Sequence, residues 1–592
     1  MSRILRKILL DRGAPEMHRG TKPGRLWSTL EGVDDGPELR RILAMERRDW
    51  QSDPDLPQVI EIMTEKFRRP GSQATLLPMQ ALALAEASVY GRVHVVASVG
   101  SGKTLLSLLL PVALGCQRPV LLTLACLVEK TIKEFQELSK DWLVPKNLKI
   151  LSYERLSMDT HADWLVQANP DIIVADESRA LKSFGKSGRT RRLGKFLEST
   201  TCVFVPLTGT PGDTTINDYA HLFAWSSGDS SPLPRGGIEQ LHWSQALDEK
   251  TVNRRSVGAL KQLSADGTDH LDAVREGVGQ RIEQTPGVVY YRSSSVNCSL
   301  YLHSITHGHC DDIDAIFAHV RKTQDELPNG RILETPIERY QLFQTLGLGF
   351  YRYLDPPPPA PWREARKAWV GFVNSYLDQD DCPFETPAQV AEQCASGFLD
   401  SFGLFEAWTA IEPTFTPISK VEWFSDAALK YVAEYANKHK ALLWTSFPAF
   451  GRALAKLSGM PFYHHGGRAL GHGSIEDRKK HDSVILSTRA NAFGRNLQGW
   501  SGMLLTDVPA NSDLLEQLIG RAHRQGQRAD AVNVSFFYSS IESVLALEKA
   551  RGRARFDQKL NRNISSKLLC CDFLCSTSAE VRASNKGPRW RK

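Results

Sequence analysis

Val93-His94-Val95-Val96-Ala97-Ser98-Val99-Gly100-Ser101-Gly102-Lys103-Thr104 is an apolar run that enters a glycine-rich turn, and Leu105 to Leu114 beyond it reads as a helix. Strand, turn and helix in that order make a phosphate cradle. Small residues let backbone N–H groups turn inward around phosphate oxygens, and the helix start adds its own positive end. A lysine at that start would reach the β- and γ-phosphates of a nucleotide, and the hydroxyl after it would ligand Mg²⁺. Val99, Gly100, Ser101, Gly102, Lys103 and Thr104 are therefore the candidate nucleotide-binding residues, Lys103 with a catalytic part and Thr104 as a metal ligand. Ala97 stands where the pattern usually begins with glycine.

The same texture repeats outward from this stretch. Val120–Leu124, Leu148–Ser152, Asp171–Ala175 and Cys202–Leu207 are short apolar runs separated by helical patterning. Apolar strands alternating with helices imply a parallel sheet covered on both faces. Strand-like runs resume at Ala441–Thr445, Ser483–Ser487, Gly502–Thr506 and Val532–Phe537, which fits a second domain of the same kind. The expected class is α/β, with two parallel-sheet domains, a helical insert and a helical N-terminal extension. The expected division is a helical extension over 1–74, a first domain over 75–300 with a helical insert at about 226–285, a helical linker or insert over 301–420, a second domain over 421–545, and a basic tail over 546–592. The run Pro356-Pro357-Pro358-Pro359 reads as a stiff connector within the linker.

At 592 residues the chain is too long for one core. Its formal net charge of +6 permits a polyanionic partner without demanding one. No apolar run approaches the ~20 residues of a membrane span, so no membrane partner is expected. The start, Met1 to Arg12, has charges breaking its apolar residues and reads as a short amphipathic helix rather than a secretory signal. The 10 cysteines are scattered, which suits reduced thiols in a cytoplasm; the expected compartment is that of a bacterium or a virus-infected cell rather than a nucleus.

Three further segments carry chemistry. Asp171-Ile172-Ile173-Val174-Ala175-Asp176-Glu177 puts two acids at the end of a buried strand. Asp176 would hold Mg²⁺, and Glu177 would orient and deprotonate an attacking water; capping of the following helix is the plain alternative. Leu207-Thr208-Gly209-Thr210-Pro211 also follows a strand, and the hydroxyls of Thr208 and Thr210 could relay between a γ-phosphate and another domain, though the segment is also good loop chemistry. Gln517-Leu518-Ile519-Gly520-Arg521-Ala522-His523-Arg524-Gln525-Gly526-Gln527 holds two arginines spaced to share one helix face, which suits the charge of a phosphoryl transition state. A solvated basic helix face is the alternative.

The order of these segments resembles superfamily 2 helicases, and within them the Snf2-like group. The resemblance covers about 75–225 and 420–540, and Gly-Arg-Ala-His-Arg followed by Gly-Gln is its most specific part. Gln80, in Leu76-Leu77-Pro78-Met79-Gln80, resembles the adenine-reading glutamine. Ser152-Tyr153-Glu154 and Asp176-Glu177-Ser178-Arg179 match first-domain segments, with Arg179 where many relatives carry histidine. Leu443–Phe447, Gly473-Ser474 with Arg478, and Gly494-Arg495-Asn496-Leu497-Gln498 resemble second-domain segments, with Arg495 in place of the usual apolar residue. The resemblance implies RecA-like domains, ATP and Mg²⁺ as cofactors, and a nucleic-acid partner, with double-stranded DNA foremost. It assigns Gln80, Gly494 and Gln517 to the nucleotide, Asn496 to coupling, and Arg521 and Arg524 to catalysis. The function it implies is an ATP-driven translocase on duplex DNA. A strand-separating DNA or RNA helicase, and a nucleotide-gated DNA clamp without productive turnover, are the alternatives.

Overall fold

The computed structural model describes residues 32–48, 55–97, 101–158, 161, 163–182, 187–209, 215–248, 254–291, 298–308, 310–323, 327, 336–377, 387–416, 418–464, 467–478, 481–492, 494–524, 526–560, 568–570 and 573–575. Of the candidate residues, Val99, Gly100 and Thr210 lie outside that set.

Six strands form the first sheet: β1 (His94–Ala97), β2 (Pro119–Thr123), β3 (Lys149–Ser152), β4 (Ile172–Asp176), β5 (Val203–Thr208) and β6 (Val288–Tyr291). Their order is β3-β2-β4-β5-β1-β6, and every pairing is parallel. β1, β2 and the apolar residues of β4 are wholly buried, because helices cover both faces and leave no solvated side to alternate with. Apolar cores lie on both sides of the sheet. The register sets Val96 beside Thr208 and Asp176 beside Leu207. The carboxyl ends of β1, β4 and β5 therefore open on one edge, the position at which open α/β sheets bind ligands.

The second sheet has seven strands, also all parallel: β7 (Ser299–Ile305), β10 (Ala441–Thr445), β11 (Phe462–Tyr463), β14 (Val484–Ser487), β15 (Gly502–Leu505), β16 (Ala531–Phe537) and β17 (Phe573–Cys575), in the order β11-β14-β10-β15-β16-β7-β17. Two antiparallel pairs lie outside it. β8 (Phe350–Leu354) pairs with β9 (Ser419–Trp423), and β12 (Arg468–Ala469) pairs with β13 (Gly473–Ser474).

These sheets revise the division expected from sequence. The expected boundary at 300/301 falls inside β7, which aligns with β16 from Ser299↔Ala531 to Ile305↔Phe537. The second lobe thus begins about 120 residues before the expected 421. The insert over 226–285 is woven into the first core through Trp243, Leu247, Val274 and Val278. The described part of the N-terminal extension also packs there, with Leu39 and Ile42 buried. The basic tail is a correction of another kind. Residues 541–560 form a helix, and Leu547, Ala550 and Ala554 are buried in the second lobe's core. β17 then extends that sheet. The arginines between those residues hid the apolar stripe that docks the helix. Its Phe556 meets the first lobe, where Arg275 lies over the ring at 4.9 Å from the centroid.

Candidate active site

Lys103 is the first residue of the helix Lys103–Ala113, and Gly102 is its N-cap with φ of +80°. Left-handed backbone at that point turns the chain sharply from β1 into the helix, and glycine adopts it without steric cost. A Cβ on Gly102 would lie 2.3 Å from Gln80 Nε2. Gln80 is buried. Its amide nitrogen donates to Gly102 O at 3.0 Å, and its oxygen accepts from Leu77 N at 2.8 Å. Gln80 is thus a brace between the helix Pro78–Tyr90 and the phosphate loop. A Gly102→Ala chain is expected to lose about 1–2 kcal/mol to left-handed strain alone. It would also displace the Gln80 brace. Thermal melting checks the first effect, and titration with a fluorescent ATP analogue the second.

The Lys103 side chain is almost fully buried, and Nζ donates to Ala97 O at 2.8 Å. Burial pushes its pKa down; Glu177 and Asp176 pull it back up, and the guanidinium groups of Arg521 and Arg524 press it down again. The last two belong to the second lobe, so charges of both lobes act on this ammonium. Ser101 is buried beside it. Thr104 follows in the first helical turn, where its carbonyl accepts from Ser107 Oγ at 2.7 Å.

Asp176 ends β4, and Glu177 follows with φ of +53°. A left-handed glutamate carries a conformational cost that is found mainly at functional sites. Glu177 N donates to Asp176 Oδ1 at 3.1 Å, and Tyr153 Oη donates to Asp176 O at 2.8 Å. Asp176 is half-buried, with protein around most of its carboxyl. That enclosure, with Glu177 next to it, raises its pKa to about 7, and Lys103 works against the rise. Two adjacent acids at the end of β4, within electrostatic reach of Lys103, and the hydroxyl of Thr104 next to that lysine make up an oxygen donor set with excess negative charge. That is the chemistry Mg²⁺ requires, so Thr104 and Asp176 fit the ion. Thr208 is buried at the end of β5, two strands from β4's far neighbour β2 and directly beside β1.

From the second lobe comes the helix Ser512–Ala522. Arg521 is buried; Nε donates to Ala492 O at 2.8 Å and Nη1 to Arg495 O at 3.4 Å. Burial lowers its pKa to about 10, against the pull of Glu177 across the cleft. Arg524 does not share a helical face with Arg521, as its spacing suggested, because the helix ends at Ala522 and His523 leaves helical geometry with ψ of 84°. The two guanidinium groups still converge. Arg524 Nη1 donates to Arg495 O at 3.4 Å and to Asn496 Oδ1 at 2.6 Å. Burial lowers the pKa of Arg524 too, countered by Glu134 of the first lobe. Gln517, on the same helix, has a buried Oε1 with no hydrogen-bond partner among the described residues. Gly494 has φ of +72°, and a Cβ there would lie 2.2 Å from Leu127 Cδ2 of the first lobe. Its missing side chain lets the lobes approach.

The structure thus brings together Lys103, Asp176, Glu177, Arg521 and Arg524, with Asn496 behind Arg524 and Gly494 at the lobe contact. Sequence reading missed Leu127, which has no motif of its own, and the role of Arg495 O, since a backbone acceptor leaves no residue signature. It also missed Asp513, which reads as an ordinary acid in a helix's first turn. Asp513 pairs with Arg179 of the first lobe.

The molecule is therefore an α/β protein of two parallel-sheet lobes, each RecA-like, with basic side chains of one facing the acids and lysine of the other. Comparison with known families matches residues 472–526 to the helicase conserved C-terminal domain. Among curated proteins, the chain is similar to the RNA polymerase-associated protein RapA of several bacteria. The protein from Serratia proteamaculans is 27% identical over 208 residues, covering 31% of this chain and 21% of that protein. Those from Actinobacillus pleuropneumoniae serotype 5b and Haemophilus influenzae Rd are 40% and 42% identical over 76 residues, 13% of this chain and 8% of each relative. The chain thus spans a minor part of the length of these relatives. Fold, motif order and these matches support a likeness to superfamily 2 helicases, and within them to the Snf2-like group. Among the described residues no helix is long and apolar enough to cross a membrane.

Proposed function

We propose that this chain hydrolyses ATP in the cleft between its two lobes and uses closure and reopening of that cleft to move along double-stranded DNA. One observation carries the reading. Lys103, Asp176 and Glu177 stand at the carboxyl edge of the first sheet, the charges of Arg521 and Arg524 from the second lobe reach Lys103, and that of Glu177 reaches Arg521.

The residues divide the work by chemistry. Backbone N–H groups from Ser101 onward, at the start of the Lys103 helix, would receive the β-phosphate. The Lys103 ammonium would leave Ala97 O and bridge to the terminal phosphates. Gln80 would hold the loop in shape through Gly102 while adenine packs beside it. Glu177 is the general base: its carboxylate takes a proton from the water that attacks the γ-phosphorus. Arg521 and Arg524 oppose the negative charge that develops as the bond to the β,γ-bridging oxygen breaks. Mg²⁺, held by Thr104 and Asp176, would supply charge neutralisation at the same phosphates. Thr208, Thr210 and Asn496 would report the state of the γ-phosphate to the second lobe. Because closure requires both lobes, loss of the γ-phosphate loosens the cleft and changes the grip on the duplex backbone.

Phosphate release tests this directly. Duplex DNA is expected to stimulate turnover, more than single-stranded DNA or RNA at matched salt, and the stimulation should fall steeply as salt rises because backbone contacts release counterions. No stimulation by any nucleic acid would refute the motor. Processive separation of a fluorescent duplex would replace translocation by strand separation, and stoichiometric DNA binding without turnover would leave a clamp.

A further inference from the structure

Arg179 and Asp513 join the lobes by an ion pair. The two side chains keep only 16% and 8% of their surface exposed, so the pair is largely shielded from solvent. Arg179 lies two residues beyond Glu177, in the short turn Ser178–Leu181 that the left-handed Glu177 opens. Asp513 is the second residue of the helix Ser512–Ala522. Asn511 caps that helix, its Oδ1 accepting from Asp513 N at 3.0 Å and Leu514 N at 3.2 Å. Eight residues on, at the other end, comes Arg521, tied to Ala492 O. A helix rises about 1.5 Å per residue, so Asp513 and Arg521 sit at opposite ends of a stiff rod of about 12 Å. One end of the rod is attached to the turn that carries the acid Glu177, and the other bears the arginine that faces it.

From this juxtaposition we infer that Arg179–Asp513 is the positioning contact of closure. It forms when the lobes close, fixes the finger helix against the Glu177 turn, and so sets the alignment of Arg521 with the terminal phosphate. When the lobes part, both ends enter water, where such a pair is worth little. The contact therefore acts on turnover rather than on nucleotide binding, since it joins the turn after Glu177 to the helix that carries Arg521. This inference rests on the proposed ATPase reading for its kinetic half only.

The test is a charge-exchange cycle with two readouts. Arg179→Glu, Asp513→Arg and the double exchange are compared with the milder Asp513→Asn and Arg179→Lys, and thermal melting checks the fold of each. The first readout is kcat and KM for ATP with saturating duplex. The second is the inter-lobe distance without nucleotide, from dyes carried on non-natural side chains at the exposed Lys195 and Lys456. Each charge reversal should cut kcat roughly 5–150-fold, the usual range of a coupling contact. KM for ATP should stay within about twofold by the same logic, and the distance distribution should shift outward. The double exchange should restore most of both, and Arg179→Lys should retain most of kcat. The inference is overturned if folded Asp513→Asn and the reversals leave kcat and distance unchanged, or if the double exchange is no better than the worse single. If the unaltered chain hydrolyses no ATP, the functional reading fails, while the distance cycle still decides the contact.

Discussion

Arg521→Ala is expected to reduce ATP turnover by about 10³–10⁵-fold, the range that an arginine finger contributes to phosphoryl transfer, while leaving ATP affinity within a few-fold. The separation arises from placement. Lys103 and the loop before it belong to the first lobe and, in the proposed reading, bind ground-state phosphate without help. Arg521 comes from the second lobe, within electrostatic reach of Glu177, and in the proposed mechanism it meets charge that develops only as the water attacks. An interaction stronger in the transition state than in the ground state appears in kcat. Arg521→Lys should rescue little, because lysine cannot reproduce a planar fork that bonds Ala492 O and Arg495 O while presenting its remaining edge to the cleft. Removing Arg521 also strands the Ala492 carbonyl, a cost of about 1–3 kcal/mol when an acceptor is left buried without a donor. A small fall in melting temperature is therefore compatible with the expectation. Arg524→Ala should also lower turnover but by less, since Arg524 lies past the helix end and spends one N–H on Asn496 Oδ1. The measurements are single-turnover phosphate release and equilibrium binding of a fluorescent ATP analogue. Equal losses in affinity and turnover would move Arg521 from the transition state to plain nucleotide binding.

Short parallel strands were legible in the sequence because both their faces are buried. β1, β4 and β10 read as unbroken apolar runs, and burial on two sides leaves no alternation to misjudge. β7 was not read as part of the second sheet for the opposite reason. Ser299-Leu300-Tyr301-Leu302-His303-Ser304-Ile305 mixes polar and apolar residues, and of its seven only Leu302 and Ser304 are fully buried. Its membership in the second sheet depends on pairing with β16, some 230 residues later, which no local pattern carries. The C-terminal helix was misread because alanine made half of its buried face. Ala550 and Ala554 count as little in a hydropathy reading and still pack at zero exposure.

The site divides along similar lines. Residues that touch phosphate in the proposed reading have fixed types and spacing, so Lys103, Asp176, Glu177, Arg521 and Arg524 stood out from their neighbours. Residues that make the lobes fit each other have no fixed type. Leu127 and Gly494 meet because one position lacks a side chain, and Arg179 meets Asp513 through geometry that neither segment announces. Of the two departures from the family pattern, one is at work in that fit and the other lies within the second lobe. Arg179 makes the cross-lobe pair. Arg495 packs its guanidinium on Gly467, pairs with Glu476 at 3.5 Å, and offers its carbonyl to both finger arginines.

Asp176→Asn is expected to have two effects of opposite sign: loss of turnover by about 10³-fold or more, and a higher melting temperature of the nucleotide-free protein at pH 8. The first follows from removing a charged oxygen ligand for Mg²⁺, whose role in phosphoryl transfer is almost wholly electrostatic. The second follows from the ionisation of the wild-type carboxyl. Enclosure and Glu177 raise its pKa from 3.8 to about 7. Between those values the folded chain holds a proton that the unfolded chain has released, so folding stability declines as pH rises through the interval and the penalty is complete above it. Asparagine keeps the oxygen that accepts from Glu177 N and never ionises. The variant should therefore gain little near pH 4 and most above pH 7. At about 1.4 kcal/mol per unit the full shift is an upper bound, and cleft water reduces it to about 1–3 kcal/mol, or a few degrees of melting temperature. Adding Mg²⁺ should raise the melting temperature of the wild type and not of the variant, since binding to the folded state alone stabilises it. Melting curves at pH 5 and pH 8, with and without Mg²⁺, check each part. A variant that melts at or below the wild type at pH 8, or gains as much at pH 5, would mean that the two acids at the end of β4 are already balanced by Lys103. The strain stored at Glu177 would then have no electrostatic counterpart at Asp176.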